Sequence, residues 1–446
     1  MMRHIRTLIR GTLAHDHGAR ILQYAGILRF ALIFVQGVVL VKAGVPLEII
    51  GQIELVFFVA NFLMFYWQNG GRNALLSWVP AAGEDMPDRR KLGTVFVVMH
   101  VYGIIAAGLL LCSSWLPFMA RYDALYQQNN WIWLSGYVLL TLPAVPILYA
   151  YLLRRQYSRM LWYMGVSYTL QVAAVLIPVL TGQGVDVMIR ALVCFALLRW
   201  LFVLIEGRWF ADGWPQRVAV GAFFVFALPL VLHALNSGLM DYVDGWIVSI
   251  YFGDEQFALY RYGAKEFPVN ALLIGGLLTG LIPMYRGKGG VDAAGLQLEI
   301  RKLIRTLFPV NCALILLSPL LYELVYSADF VLSARIFNIY ALTLMSRVVI
   351  NQVYLYVHHH NWVLSLSTGA EIILNVALSI LFMKTMGLLG IPLATVVAYT
   401  AHKIFLILYI GTRMEIPLHA YLPVKRYVLY FAVMCLCFLA AEIIYF

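Results

Sequence analysis

The stretch "FGDEQFALYRYGAKEFPVNALLIGG", residues 252–276, places Arg261, Lys265 and Glu266 inside an otherwise apolar run. Arg261 and Lys265 are four residues apart, a spacing that puts both on one face of a helix. At 1.5 Å of rise per residue they lie ~12 and ~18 Å from the helix start, near the middle of a membrane crossing. Two cations on one face repel, and an anion between them offsets that repulsion. Arginine presents a planar fork of donors that matches phosphate. Arg29, in the first apolar run, supplies a third cation. Arg29, Arg261 and Lys265 are therefore the candidate ligands of a diphosphate. The competing reading pairs these cations with Glu54 and Glu266 as internal ion pairs.

A second group is acidic. Asp241 and Asp244 are three residues apart, and Glu371 and Asn375 are four apart, so each pair shares a helical face. Oxygen ligands from two helices suit a coupling cation, Na⁺ or H⁺. The competing reading pairs them with Arg335, Arg347 or backbone groups. "HHH" at 358–360 has no carboxylate or thiol close in sequence, which favours a polar turn over a metal site. There is no Walker-type glycine loop and no GxSxG, so neither an enzyme nor a resident cofactor is expected.

These side chains need elements that cross lipid. The chain of 446 residues is 62% hydrophobic and 12% charged, against about 25% charge in a soluble protein. Apolar runs long enough to span recur to the C-terminus. Thirteen spans are predicted: 21–42, 46–66, 92–115, 131–153, 161–181, 187–207, 218–251, 255–283, 303–325, 331–357, 363–384, 388–410 and 426–445. The seventh exceeds one crossing and holds Pro229 and "NSG" at 236–238, so a kink is expected there. Lys and Arg number 21 in the loops on the N-terminal side and 4 on the other, which predicts a cytoplasmic N-terminus. The net charge of +10 is scattered over short loops, a topological signal rather than a nucleic-acid surface. Arg199 and Lys403 approach span ends and are expected to snorkel to the interface.

The chain also resembles itself. Residues 165–205 overlie 369–409 without a gap, placing Gly165 on Gly369, Gln171 on Asn375, Thr181 on Thr385 and Arg199 on Lys403. In that register "RRQ" at 154–156 falls on "HHH" at 358–360. Six spans per copy preserve orientation, the signature of a parallel repeat. The expected fold is an all-α polytopic membrane protein. Two pseudo-symmetric six-helix lobes, residues 1–210 and 211–412, surround a central cavity, and residues 413–446 add a C-terminal transmembrane segment.

Three stretches carry a family resemblance: "ALPLVLHALNSGLMDYVDGWIVSIYFGDEQFALYRYGAKEFPVNALL" (227–273), "ELVYSADFVLSARIFNIYAL" (323–342) and "GLLGIPLATVVAYTAHKIFLIL" (387–408). The chain resembles polysaccharide flippases of the multidrug/oligosaccharidyl-lipid/polysaccharide (MOP) exporter superfamily, especially O-antigen (Wzx-type) flippases. The resemblance implies alternating access by two lobes, moving an undecaprenyl-diphosphate-linked oligosaccharide across a bacterial inner membrane. It implies membrane lipids and a lipid-linked oligosaccharide diphosphate as partners, with a polysaccharide polymerase and chain-length proteins as further candidates. The lipid II flippases among these relatives share Glu-Phe-Pro, here Glu266–Phe267–Pro268, but carry an Arg where this chain has Gly263. Their sodium site draws on spans seven and eleven, matching Asp244 and Asn375. The rival readings are a cation-coupled multidrug or metabolite exporter and a membrane-embedded polysaccharide polymerase or ligase.

Overall fold

A computed structural model describes residues 17–79, 89–113, 129–207, 217–265, 268–287 and 289–446. Among the described residues there are nineteen α-helices and three short 3₁₀ turns, with no strand. The first eight helices are α1 (His17–Lys42), α2 (Leu47–Trp78), α3 (Arg89–Ser113), α4 (Asn130–Thr141), α5 (Pro146–Leu153), α6 (Tyr157–Leu180), α7 (Gly184–Gly207) and α8 (Arg217–Gly238). Then come α9 (Met240–Tyr251), α10 (Asp254–Gly263), α11 (Pro268–Gly287), α12 (Ala293–Val325), α13 (Val331–Ala341), α14 (Leu344–Arg347) and α15 (Gln352–Val357). The last four are α16 (Asn361–Met386), α17 (Gly390–Arg413), α18 (Leu418–Tyr421) and α19 (Val424–Tyr445).

Among the described residues, ten helical runs are long and apolar enough to cross a membrane, or eleven with one bent pair. One of the ten, Asn361–Arg413, holds two helices joined at Gly387, whose φ of +60° closes α16. The pairing of Ser367 and Glu371 with His402, and of Asn375 with Thr395, shows that α16 and α17 run antiparallel. The seventh expected span bends by 58° between 219–235 and 240–251. The bend falls across 236–239, which holds the expected "NSG", while Pro229 stays inside α8. At this bend Gly238 lies against Phe65, where a Cβ would come within 2.2 Å of the ring.

The eighth expected span, 255–283, is not one helix. α10 ends at Gly263 and α11 begins at Pro268. A proline disfavours helical geometry in the residue before it and is itself well suited to a helix's first turn. Glu266 and Phe267 lie outside the described residues, as do Lys288 and most of the basic N-terminal stretch.

The chain divides into two compact units. One comprises the described residues within 16–242 together with 253–258, and the other 243–252 together with 259–446. In the first, α2 packs along α8 and α6 along α7. In the second, α16 packs along α17, and α12 carries both α13 and α19. The C-terminal α19 is tied to α13 by Arg335, whose guanidinium holds Glu442 through contacts of 2.8, 2.9 and 3.1 Å.

The internal repeat is visible in the backbone. α6 begins at Tyr157 and α16 at Asn361, an offset of 204 residues. Arg155 and His359, separated by the same 204, are two of the four non-glycine residues with positive φ among the described residues, at 57° and 62°. "HHH" is thus the turn opening α16, and no group of three His, Cys, Asp or Glu among the described residues is arranged for a metal.

Candidate functional site

α16 is apolar on its outside and polar on its inside. Its buried residues are Ser367, Glu371, Asn375 and Ser379, one per turn, whereas Trp362 and Ile373 are 78% and 72% exposed. This inversion is expected where lipid replaces water, because the apolar side chains gain nothing by leaving the tails. The polar stripe is then a place for satisfied or functional groups.

Midway along that stripe lies a buried polar cluster within the second unit. Asp244, on α9, accepts a hydrogen bond from Tyr340 on α13 at 2.6 Å and another from Thr395 on α17. Tyr340 pairs with Tyr260 of α10 at 2.7 Å. Asn375 donates to the Thr395 hydroxyl at 2.8 Å, and its amide is within reach of the Asp244 carboxylate itself. Two oxygens of the cluster, Asp244 Oδ1 and Asn375 Oδ1, are buried without a hydrogen-bond partner. Orphaned buried acceptors cost roughly 1–3 kcal/mol each. A carboxylate, an amide oxygen and a hydroxyl are the donor set that a hard cation takes, so the residues fit a small cation or a proton.

Of the four acidic and amide candidates, the structure therefore brings together Asp244 and Asn375. Asp241 is exposed at the start of α9. Glu371 engages His402 instead, with Nδ1 at 2.5 Å from Oε2. Of the two arginines weighed as their partners, Arg335 holds Glu442, and Arg347 donates to Tyr399 at 3.2 Å.

The basic candidates fall on different elements. Arg29 is exposed on α1, its guanidinium 5.8 Å from the Tyr168 ring centroid. Arg261 is half-buried in the last turn of α10. Lys265 lies two residues beyond that helix, its ammonium 4.1 Å from the centroid of the Tyr262 ring. The expectation that Arg261 and Lys265 share one continuous helical face is corrected: the helix stops between them, ahead of Pro268. Gly263, at the stop, packs so closely on α13 that a Cβ would sit 2.5 Å from the Ser333 carbonyl oxygen. Any side chain at 263 would have to displace that backbone.

Arg199 and Lys403 both bond acceptors within the protein. Arg199 donates to the Thr141 carbonyl at 3.2 Å and Lys403 to Gln352 Oε1 at 2.6 Å. Sequence reasoning missed Tyr260, Tyr340, Thr395 and His402 as site residues. The four-residue spacing of Ser367, Glu371, Asn375 and Ser379 within an apolar span was the signal available.

No protein-family model matches the chain, and no curated protein does. Solved structures share its fold. A lipid II flippase, MurJ, in an inward closed conformation is similar over 95% of this chain and 97% of that one, with 15% identity and a TM-score of 0.63. An outward-facing multidrug-resistance transporter of the MATE family, in the MOP superfamily, is similar over 89% of this chain and 95% of that one, at 14% identity and a TM-score of 0.50. A MATE protein in its bent conformation is similar over 90% and 98%, at 13% identity and a TM-score of 0.51. The chain is thus a multi-pass membrane protein with the fold these transporters share.

Proposed function

We propose that the chain is a flippase that carries an undecaprenyl-diphosphate-linked oligosaccharide, such as an O-antigen repeat unit, across the bacterial inner membrane by alternating access. The observation that carries this reading is the fold likeness to a lipid II flippase over nearly the whole of both chains. To it we add the cations that the sequence places inside apolar runs. Arg29, Arg261 and Lys265 supply the positive charge for the diphosphate, with arginine offering paired donors to phosphate oxygens. The N-terminus lies in the cytoplasm, as the loop charges predict. Membrane lipids surround the protein, and a polysaccharide polymerase and chain-length proteins receive the flipped unit.

Transport is driven by a cation, Na⁺ or H⁺. Asp244, Asn375 and Thr395 would hold it, and it would supply the charge that the two orphaned oxygens lack. Asp241 is a candidate to hand the ion on. The chain performs no covalent step in this reading. The experiment is complementation of a flippase-deficient strain. Arg261→Ala combined with Lys265→Ala should abolish surface polysaccharide while the protein still inserts, and normal polysaccharide in that double variant would remove the diphosphate site.

A second reading, a cation-coupled exporter of drugs or metabolites, is favoured by the likeness to MATE transporters. It predicts resistance to cationic drugs and no polysaccharide phenotype.

A further inference from the structure

The Glu371–His402 pair lies outside the Asp244 cluster's hydrogen-bond network and has a chemistry of its own. Its side chains are 4% and 9% exposed, on the inner stripe of the α16–α17 hairpin. Glu371 is ten residues, ~15 Å, from the start of α16. A ring nitrogen and a carboxylate oxygen at 2.5 Å must have a proton between them. The other ring nitrogen, Nε2, is 3.1 Å from the hydroxyl of Ser367. That hydroxyl has a second acceptor within reach, the Leu364 carbonyl at 3.0 Å.

Ser367 has one hydrogen to give, and this sets up two states. When the hydroxyl donates to Leu364, its lone pair accepts Nε2–H. Both ring nitrogens then carry or share a proton, and the pair is neutral as a whole. When the hydroxyl donates to Nε2, that nitrogen is bare. The ring then holds only the proton it shares with Glu371, and the pair carries one negative charge. One proton entering at Nε2, with rotation of the Ser367 hydroxyl, converts the second state to the first. No bond other than N–H is made or broken. Glu371 Oε1 is buried without a hydrogen-bond partner, so the negative state is the costlier one.

Trp362, Leu366, Leu374 and Phe405 wall a groove of about 530 Å³ that reaches Ser367, Glu371 and His402. Tyr409 closes the same groove and pairs with His360 Nδ1 at 3.0 Å, linking it to the turn at 358–360. The charged groups facing the pair are Lys403 on α17, in electrostatic reach of Glu371 and bound to Gln352 of α15, and Arg347 of α14 beside Lys403. Asp244 reaches the hairpin one turn farther on, through Thr395 and Asn375.

We propose that Ser367, His402 and Glu371 form a proton-binding site of the transport cycle, separate from the Asp244 cluster. Its role in transport rests on the flippase reading; the binding of the proton does not. The test uses the full-length protein in liposomes with ¹⁵N-labelled histidine, followed by solid-state NMR from pH 5 to pH 9. His402 is assigned by its loss in His402→Gln. The expected result is a one-proton transition at Nε2 whose midpoint falls by at least one pH unit in Glu371→Gln. It should also move in Ser367→Ala and stay in place in Asp244→Asn. A His402 resonance that does not titrate, or a midpoint that Glu371→Gln leaves unmoved in folded protein, would overturn the site. If the transition behaves as expected but no lipid-linked sugar is translocated, the proton site stands and the flippase reading falls.

Discussion

Asp244 and Asn375 belong to different helices, α9 and α16, and both bond the hydroxyl of Thr395. Each also keeps one buried oxygen without a partner. In the proposed transport cycle, a bound cation or proton would satisfy these oxygens.

If sodium is that cation, it should stabilise the purified protein. At a hundredfold excess over its Kd, a ligand that binds only the folded state adds about 2.7 kcal/mol. The expected outcome is a Tm that rises with NaCl but not with choline chloride. The rise should disappear in Asp244→Asn and shrink in Thr395→Val. A cation-independent Tm that depends on pH through Asp244 alone would assign the site to a proton instead.

Gly263 and Ser333 set the closest approach of α10 and α13. A Cβ at 263 would lie 2.5 Å from a backbone oxygen, which cannot swing away as a side chain does. Overpacking of this kind costs roughly 1–3 kcal/mol. Gly263→Ala should therefore lower Tm measurably. Gly276→Ala, with nothing within 4 Å of the added carbon, should leave Tm unchanged or raise it through better helix propensity. Thermal unfolding in detergent compares the two.

Arg335 and Glu442 fasten the last helix to the second unit. Glu442→Gln weakens the contact by removing its charge, and Arg335→Glu should loosen α19 further by setting two carboxylates side by side. Limited proteolysis near 414–423 should then accelerate. The exchange Arg335→Glu with Glu442→Arg should restore resistance, since the pair is remade with its ends reversed.

Arg155 and His359 hold left-handed backbone at matching points of the repeat. A non-glycine residue pays about 1–2 kcal/mol for that conformation. His359→Gly and Arg155→Gly should each raise Tm, and His359→Val should lower it. A fall in Tm on His359→Gly would show that the side chain, rather than the turn, is what the site needs.

The repeat was legible in the sequence because it is local: 165–205 and 369–409 align without gaps, and the turns before them share a backbone. The membrane class was legible from long apolar runs whose polar residues recur one turn apart. The match of Asp244 with Asn375 came from the family resemblance, whose sodium site draws on spans seven and eleven. Thr395, Tyr340 and His402 were not legible, because their roles arise from contacts across 96 or 151 residues, or from a hairpin whose register the sequence leaves free. The break in the eighth span hid behind its hydrophobicity, although Pro268 announced it. Arg261 and Lys265 look like one helical face only if that proline is ignored.

The most direct measurement reconstitutes the protein in liposomes carrying a fluorescent polyprenyl-diphosphate oligosaccharide and follows its appearance in the opposite leaflet by quenching. The protein should accelerate translocation, and Arg261→Ala with Lys265→Ala should remove at least nine-tenths of that acceleration at equal incorporation. A double variant that flips the lipid at the wild-type rate, or a wild-type protein that moves organic cations and leaves the lipid where it is, would contradict the account.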